Sequence, residues 1–284
     1  MLLNRIAVSI ALLAAAAAAF ADTNFPPNLS DKAKAAFLEK YEPASREKAF
    51  AITQDGSKFF YITDQKSDEL AARMASVGCL KAHTAPCHIW FINGKDVLGD
   101  YESARVQSEK AIASLPAELT KKSYANEDAD MGVTFPNGLR ELMASHGATP
   151  ATAPSGAKII STAELVNLYR SDTKLVVLDV LPSQGVKKST LPGALWVNTL
   201  GVGHEKLNTI IELVIPKTLA VVVPDKSVPI VSYCAGWECW FSWNATVRLV
   251  AAGYKNVYWY RGGLDSWLAA KLPQVETPIA LQML

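Results

Sequence analysis

The most constraining feature of this chain is an alternation of apolar strands and helical segments between Lys158 and Pro273. "KLVVLDV" (Lys174–Val180) and "VPIVSY" (Val228–Tyr233) are short, nearly continuous apolar runs rich in branched residues. A strand with one wet face alternates apolar and polar positions; a continuous apolar run is buried on both faces, as in a helix-covered parallel sheet. Helical segments separate these runs. "STAELVNLYR" (Ser161–Arg170) opens with a capping box, Ser161 and Glu164. "NTIIELVI" reads as a further helix, and "SWNATVRLVAAGY" (Ser242–Tyr254) is closed by Gly253 in the position after the C-cap. "PGALWVN" and "NVYWY" add strands, and "GGLDSWLAAKL" (Gly262–Leu272) adds a last helix behind a Gly-Gly turn. The alternation predicts an α/β domain built on a parallel sheet.

The region before it has a different rhythm. "AFAITQ" and "KFFYITD" flank Asp55–Ser57, a hairpin signal. Ser67 caps a helical pattern carried by Leu70, Met74 and Val77. "HIWFING" reads as a strand, and "YESARVQSEKAIASLPAEL" and "NGLRELMASHG" as helices. These elements predict a small α+β domain. Three polar stretches read as linkers: Thr23–Asp31, Ala125–Asp130 and Ser145–Lys158. The expected organisation is a leader over 1–21, the α+β domain over 22–150 and the α/β domain over 151–284.

The leader carries Arg5 and then an apolar, alanine-rich run from Ile6 to Ala21, shorter than a membrane-spanning helix needs. Ala19-Phe20-Ala21 fits a cleavage site that leaves Asp22 first; a retained anchor helix is the other reading. No later stretch is long and apolar enough to span a membrane. Export to a periplasmic or extracellular location is therefore expected. With 284 residues, 19% charged and a formal net charge of +1, the chain lacks the concentrated positive charge of a nucleic-acid or polybasic membrane binder.

In an oxidising compartment, close cysteine pairs are disulfide candidates. Cys79 and Cys87 sit in "CLKAHTAPCH" with two histidines, but the spacings of four, four and one are not a common zinc pattern. Thr84 stands where covalent haem attachment would need a cysteine. A disulfide tying the helix end to the next strand is expected, worth roughly 2–3 kcal/mol. No cofactor and no metal ligand set is assigned.

Cys234 and Cys239 lie in "SYCAGWECWFSW" (Ser232–Trp243), between a strand and a helix. Inward backbone N–H groups of such a loop and the following helix N-terminus both favour a thiolate. The pair has three readings: a permanent disulfide, a redox-active or sulfur-relaying dithiol, or a metal site. Trp237, Trp240 and Trp243 recur every three residues and form either a packing stripe or the wall of an aromatic pocket. Asp179 either orients the loop through its backbone or caps the segment after its own strand. "GVGHEK" (Gly201–Lys206) matches neither a dinucleotide loop nor a P-loop, and His204 reads as a surface loop residue, with a role as acid or base the other reading.

Several pieces in order resemble the rhodanese family: "STAELVNLY", "LVVLDV" ending at Asp179, "LPGALWVN", "IVSYC" and "AAGYKNVYWYRGGLDSW". The resemblance covers Lys158–Pro273 and implies a rhodanese-like parallel-sheet fold with Cys234 as the sulfur-carrying nucleophile. The family's loop carries an Arg five residues after the cysteine and a Ser or Thr next; here the Arg position is Cys239, and the Ser comes two residues later than in the family, at Ser242. "CAGWECWFSWNA" is similar to an exported bacterial subgroup of the pattern C-x-n-C-W-x-SWNA, linked to quinoprotein-dependent catabolism. No Arg or Lys lies in Ala235–Trp243, and Glu238 repels anions, so thiosulfate and phosphate esters are poor substrates unless Arg248, Arg261 or a distant Lys reaches in.

The expected function is thiol-based sulfur transfer or dithiol/disulfide redox at Cys234, with Cys239 as the resolving thiol. The expected loop or pocket residues are Ala235, Gly236, Trp237, Glu238, Trp240, Ser242, Trp243 and Asp179. A sulfane-sulfur donor or a thiol partner protein would be the reactant. The alternative is a catalytically inactive fold that binds a partner in the cell envelope.

Overall fold

A computed structural model describes residues 25–134, 138–141, 146–197 and 200–278. The chain opens with α1 (Asp31–Ala36), capped by Ser30 and continued by a π-helical turn, Phe37–Tyr41. Next come β1 (Ala49–Thr53), β2 (Phe59–Ile62), α2 (Asp68–His83), β3 (Cys87–Ile92), β4 (Lys95–Asp96) and α3 (Leu98–Ala113). The four strands form an antiparallel sheet in the order β2-β1-β3-β4.

Every residue of β1 is buried, and its pleat sorts them by size. Ala49 and Ala51 face α2, whose Ala71, Ala72 and Ala75 allow close approach. Phe50 and Ile52 face Phe37 and Tyr41 on the other side, together with Trp90 and Phe91 of β3. The small side chains on one face and aromatic ones on the other let this four-stranded sheet carry helices on both faces. As expected, a disulfide joins Cys79 near the end of α2 to Cys87 at the start of β3, with Cα atoms 6.2 Å apart.

The second half runs β5 (Ala157–Ile159), α4 (Thr162–Arg170), β6 (Val176–Asp179), β7 (Lys187–Thr190), β8 (Leu195–Trp196), α5 (Glu205–Val222), β9 (Pro229–Tyr233), α6 (Trp240–Ala251), β10 (Asn256–Tyr260), α7 (Gly263–Ala269) and β11 (Val275–Pro278). Five strands form the expected parallel sheet, in the order β5-β10-β9-β6-β8. One face is covered by a cluster that includes Leu178, Ile230, Ala245 and Leu249, with Ile211, Ile215 and Leu219 of α5. The other face is covered by Leu165 and Val166 of α4 and Trp267 of α7, packed against Val177, Val231 and Tyr233. The capping box at Ser161 and Glu164 is present. No helix among the described residues is long and apolar enough to cross a membrane.

The stretches read as linkers are packed segments. Phe25 stacks against Phe37 and Trp90, with ring centroids 5.9 and 5.7 Å apart. Ala125–Asp130 is a turn whose Glu127 is buried and accepts from the Thr162 N–H and hydroxyl. Ser145–Lys158 was expected to be irregular, yet its last two residues begin β5. The helix expected over Asn137–Gly147 is not present at residues 138–141, which are extended or bent; 137 and 142–145 lie outside the described residues. There, Arg140 donates its backbone N–H to the Asn244 side chain instead of to a helical carbonyl. The leader expected over 1–21 and its expected cleavage site also lie outside the described residues.

Candidate functional site at the end of the central strand

β9 is the middle strand of the parallel sheet, flanked by β10 and β6, and the chain leaves it at Cys234. The carboxyl end of a central parallel strand, facing a helix N-terminus, is where such folds place their chemistry. Cys239 is the N-cap residue of α6, and its N–H donates to the Gly236 carbonyl at 3.0 Å. That tight turn brings the two cysteines within bonding reach. They are joined as a disulfide, with Cα atoms 6.2 Å apart, inside the roughly 4.4–6.8 Å window a disulfide allows. Cys234 is 1% exposed and Cys239 2%.

The start of α7 supports the loop from below. Leu264 and Asp265 donate their N–H groups to the carbonyls of Cys234 and Ala235, at 3.0 and 2.8 Å. This approach leaves no room for side chains. A Cβ on Gly263, which holds a left-handed φ of 54°, would lie 2.4 Å from the Cys234 carbonyl oxygen. One on Gly236 would lie 2.4 Å from the Asp265 carboxylate. Burial, and then the negative Glu238, push the Asp265 carboxyl above its usual range. The loop is therefore lined by acid, not by base.

Neither arginine considered from sequence reaches the sulfurs. Arg248 donates to the Leu200 carbonyl at 2.7 Å and to the Asn208 side chain at 3.0 Å; burial lowers its pKa to about 10. Arg261 is 1% exposed and turns away toward the preceding chain. Its Nε donates to the Thr149 hydroxyl, its Nη2 to the Thr149 carbonyl and its Nη1 to the Glu127 carbonyl, at 3.0, 3.0 and 2.9 Å. A cation held this way is a clamp between segments, not an anion receptor.

What Arg261 clamps lies across the cysteine loop. His146 pairs with Cys239 as an antiparallel bridge, Gly147 N–H donates to the Glu238 carbonyl at 3.0 Å, and the Thr149 N–H and hydroxyl donate to the Trp237 carbonyl. Asn244 anchors the flanking stretch: its Oδ1 accepts from Arg140 N–H at 2.9 Å, while its Nδ2 donates to the Arg140 and Gly201 carbonyls. The Arg140 guanidinium sits over the Trp240 ring at 4.7 Å. Residues 138–141 and 146–149 thus cover the loop. Sequence reasoning missed Asn244 and Thr149 as site-shaping residues, with "SWNA" the local signal for Asn244, and it considered Arg261 as an anion receptor and not as a clamp.

The three tryptophans divide. Trp240 and Trp243 are buried in a cluster with Trp259, which corrects the aromatic-pocket reading for these two. Trp237 is half-buried, with the Arg261 guanidinium 5.8 Å from its ring. Ser242, buried in the first turn of α6, is the polar side chain at the sulfurs. Its Oγ lies 3.2 Å from Cys234 Sγ, donates toward the Cys239 carbonyl at 3.3 Å and accepts from Trp259 Nε1–H at 2.9 Å. Asp179 caps its own following segment by accepting from Leu181 N–H at 3.0 Å. It also accepts from Lys188 Nζ at 2.9 Å and from the Tyr233 hydroxyl at 2.8 Å, so it fixes the last residue of β9 and not the loop backbone. Burial pushes the Asp179 carboxyl up despite Lys188, and pushes the Tyr233 hydroxyl well above its ordinary value. His204 occupies the N-cap position of α5 and is half-buried. Among the described residues no cluster of His, Cys, Asp and Glu is placed to hold a metal.

No curated protein matches the chain. It aligns with the crystal structure of a thiosulfate sulfurtransferase from Pseudomonas aeruginosa at 21% identity and a TM-score of 0.28, over 42% of this chain and 20% of the other. The chain therefore spans about a fifth of that protein's length. The family model described as "Rhodanese-like domain" matches residues 161–270. That span begins at the capping box of α4, contains the whole β9–Cys234–α6 junction and ends just past α7: residues 161–270 are a rhodanese-like domain.

Proposed function

We propose that the protein is an exported rhodanese-like protein that performs thiol-based sulfur transfer or dithiol/disulfide redox at Cys234, with Cys239 as the resolving thiol. The observation that carries this reading is the Cys234–Cys239 disulfide at the carboxyl end of β9, where the rhodanese-like fold presents its nucleophile. A partner dithiol would open the pair, yielding two thiols and an oxidised partner. The Cys234 thiolate would then attack the sulfane sulfur of a donor, which leaves without that sulfur, giving a persulfide on Cys234. Attack by the Cys239 thiolate on Cys234 Sγ would expel hydrosulfide and re-form the disulfide. Two disulfides and the apolar, alanine-rich leader support export, with Asp22 as the first mature residue. The similarity of "CAGWECWFSWNA" to the exported C-x-n-C-W-x-SWNA subgroup supports a role beside quinoprotein-dependent catabolism.

The near-complete burial of both sulfurs favours a second reading, in which the disulfide is permanent and the protein binds a partner in the envelope. Thiol titration after mild reduction separates the two, run on wild type, Cys234→Ser and Cys239→Ser with a sulfane-sulfur donor present. The enzymatic reading expects two titratable thiols in wild type and a +32 Da adduct on Cys239→Ser but not on Cys234→Ser. If the pair never reduces and no adduct forms, the binding reading stands instead.

A further inference from the structure

The loop has no arginine, so something else must stabilise negative charge on Cys234 once the disulfide opens. The contacts of Cys234 Sγ narrow the choice. One neighbour is the Cys239 carbonyl oxygen at 3.2 Å, a group that accepts hydrogen bonds and repels a thiolate. The other is Ser242 Oγ, also at 3.2 Å. Ser242 has one proton to donate and two acceptors in reach, the Cys239 carbonyl and the sulfur. From the opposite side, Trp259 Nε1–H donates to the same oxygen at 2.9 Å, and an indole N–H can only donate.

We propose that Trp259, through Ser242, is the positioning residue that holds reduced Cys234 as a thiolate in place of the missing arginine. The indole N–H occupies one of the two lone pairs of Ser242 Oγ and polarises the hydroxyl, which makes its O–H a stronger donor. In the disulfide the proton goes to the Cys239 carbonyl. When the sulfur becomes anionic the proton swings to it, strengthened by the donor behind. The geometry is held by burial: Ser242 and Trp259 are both 0% exposed, and Trp259 is wedged edge-on against Trp243 with ring centroids 5.2 Å apart. In so dry a place a single aligned hydrogen bond to an anion is strong. Trp259 arrives from β10, the strand next to β9, so the sheet itself sets its distance from the cysteine loop.

This inference rests on the sulfur-transfer reading but is tested apart from it, because Cys239→Ser leaves Cys234 permanently free. Thiolate absorbance of Cys234 is followed against pH in full-length Cys239→Ser. Burial raises the midpoint and the Ser242 hydroxyl opposes that rise, so the proposal is read from the differences between variants. Adding Ser242→Ala raises the midpoint by roughly one unit, and adding Trp259→Phe by about half a unit. In the Ser242→Ala background, Trp259→Phe has no further effect, since its influence passes through the hydroxyl. Equal shifts from Trp259→Phe in both backgrounds, or no shift at all, overturn the proposal. If the phenylalanine variant does not fold, 15N-labelled indole resonances of Cys239→Ser serve instead. One of them is expected to follow the Cys234 midpoint, and to stop doing so with Ser242→Ala; no such resonance overturns the proposal. A wild-type disulfide that never opens would sink the sulfur-transfer reading while leaving these outcomes readable.

Discussion

Glu127 shows how a residue's environment sets a pH response. Its carboxylate accepts from the Thr162 N–H and hydroxyl at 3.0 and 2.6 Å, and it is 4% exposed. Burial outweighs those donors and raises its pKa above the ordinary 4.5. A folded-state pKa raised above the unfolded one means that the folded protein binds the proton more tightly. The associated stability is then complete below about 4.5 and is lost as pH rises through the raised value. Glu127→Gln keeps the shape and removes the titration. In urea unfolding, the wild-type midpoint minus that of Glu127→Gln is expected to fall as pH rises across this window; a difference that stays flat contradicts the assignment. Arg261 is the other residue whose worth is concentrated. It makes three hydrogen bonds to two remote segments from a buried position. Arg261→Met removes them and leaves the Thr149 and Glu127 carbonyls without those donors, so a loss of about 2–4 kcal/mol is expected in the same unfolding experiment.

The covering stretch is the element with the most consequence for chemistry. Gly147 and Thr149 donate to the carbonyls of Glu238 and Trp237, and Thr149 is in turn gripped by Arg261. A thiol that attacks the buried disulfide is expected to need this stretch displaced. Thr149→Val removes the hydroxyl on both sides of that clasp while keeping side-chain volume. The variant is expected to lose its Cys234–Cys239 disulfide to dithiothreitol about 5–30-fold faster than wild type, for a clasp worth roughly 1–2 kcal/mol. The rate is read by quenched alkylation and mass spectrometry, with Cys79–Cys87 as the internal control; an unchanged rate means that attack does not need the stretch to open. The same element marks where sequence stopped being informative. β6, β9 and the capping box at Ser161 were legible because continuous apolar runs and a four-residue cap are local signals. The cysteine pairing was legible from spacing and the expected compartment. The cover was not, because the Arg261–Thr149 bonds span 112 residues and the Arg140–Asn244 bonds 104, and nothing in "SHGATP" announces a partner. Periodicity also suggested a helix around Arg140, where Asn244 captures the backbone groups a helix would have used.

At the scale of the whole molecule, the two halves share their buried polar partners. Trp196 of β8 packs into the core cluster of the N-terminal sheet, alongside Ala49 and Ile89. Arg170 donates to the Leu115 carbonyl at 2.9 Å, Gly193 N–H to Ser108 at 2.9 Å, and Ser266 to the Tyr124 carbonyl at 2.6 Å. Lys187 pairs with Asp100 at 2.8 Å. Deleting the first half would expose Trp196 and strand the guanidinium of Arg261, the N–H of Thr162 and the hydroxyl of Ser266 against a new surface. Each of these losses falls in the class that costs a kcal/mol or more, and together they approach the whole stability of an ordinary domain. A chain beginning at residue 151 is therefore expected to melt more than about 10 °C below a chain beginning at residue 22, or to aggregate on expression. Circular dichroism melts of the two chains decide it. If the shorter chain melts within a few degrees of the longer one, the rhodanese-like domain is self-sufficient. The N-terminal half would then be a separable module, and the covering of the cysteine loop a removable feature of it.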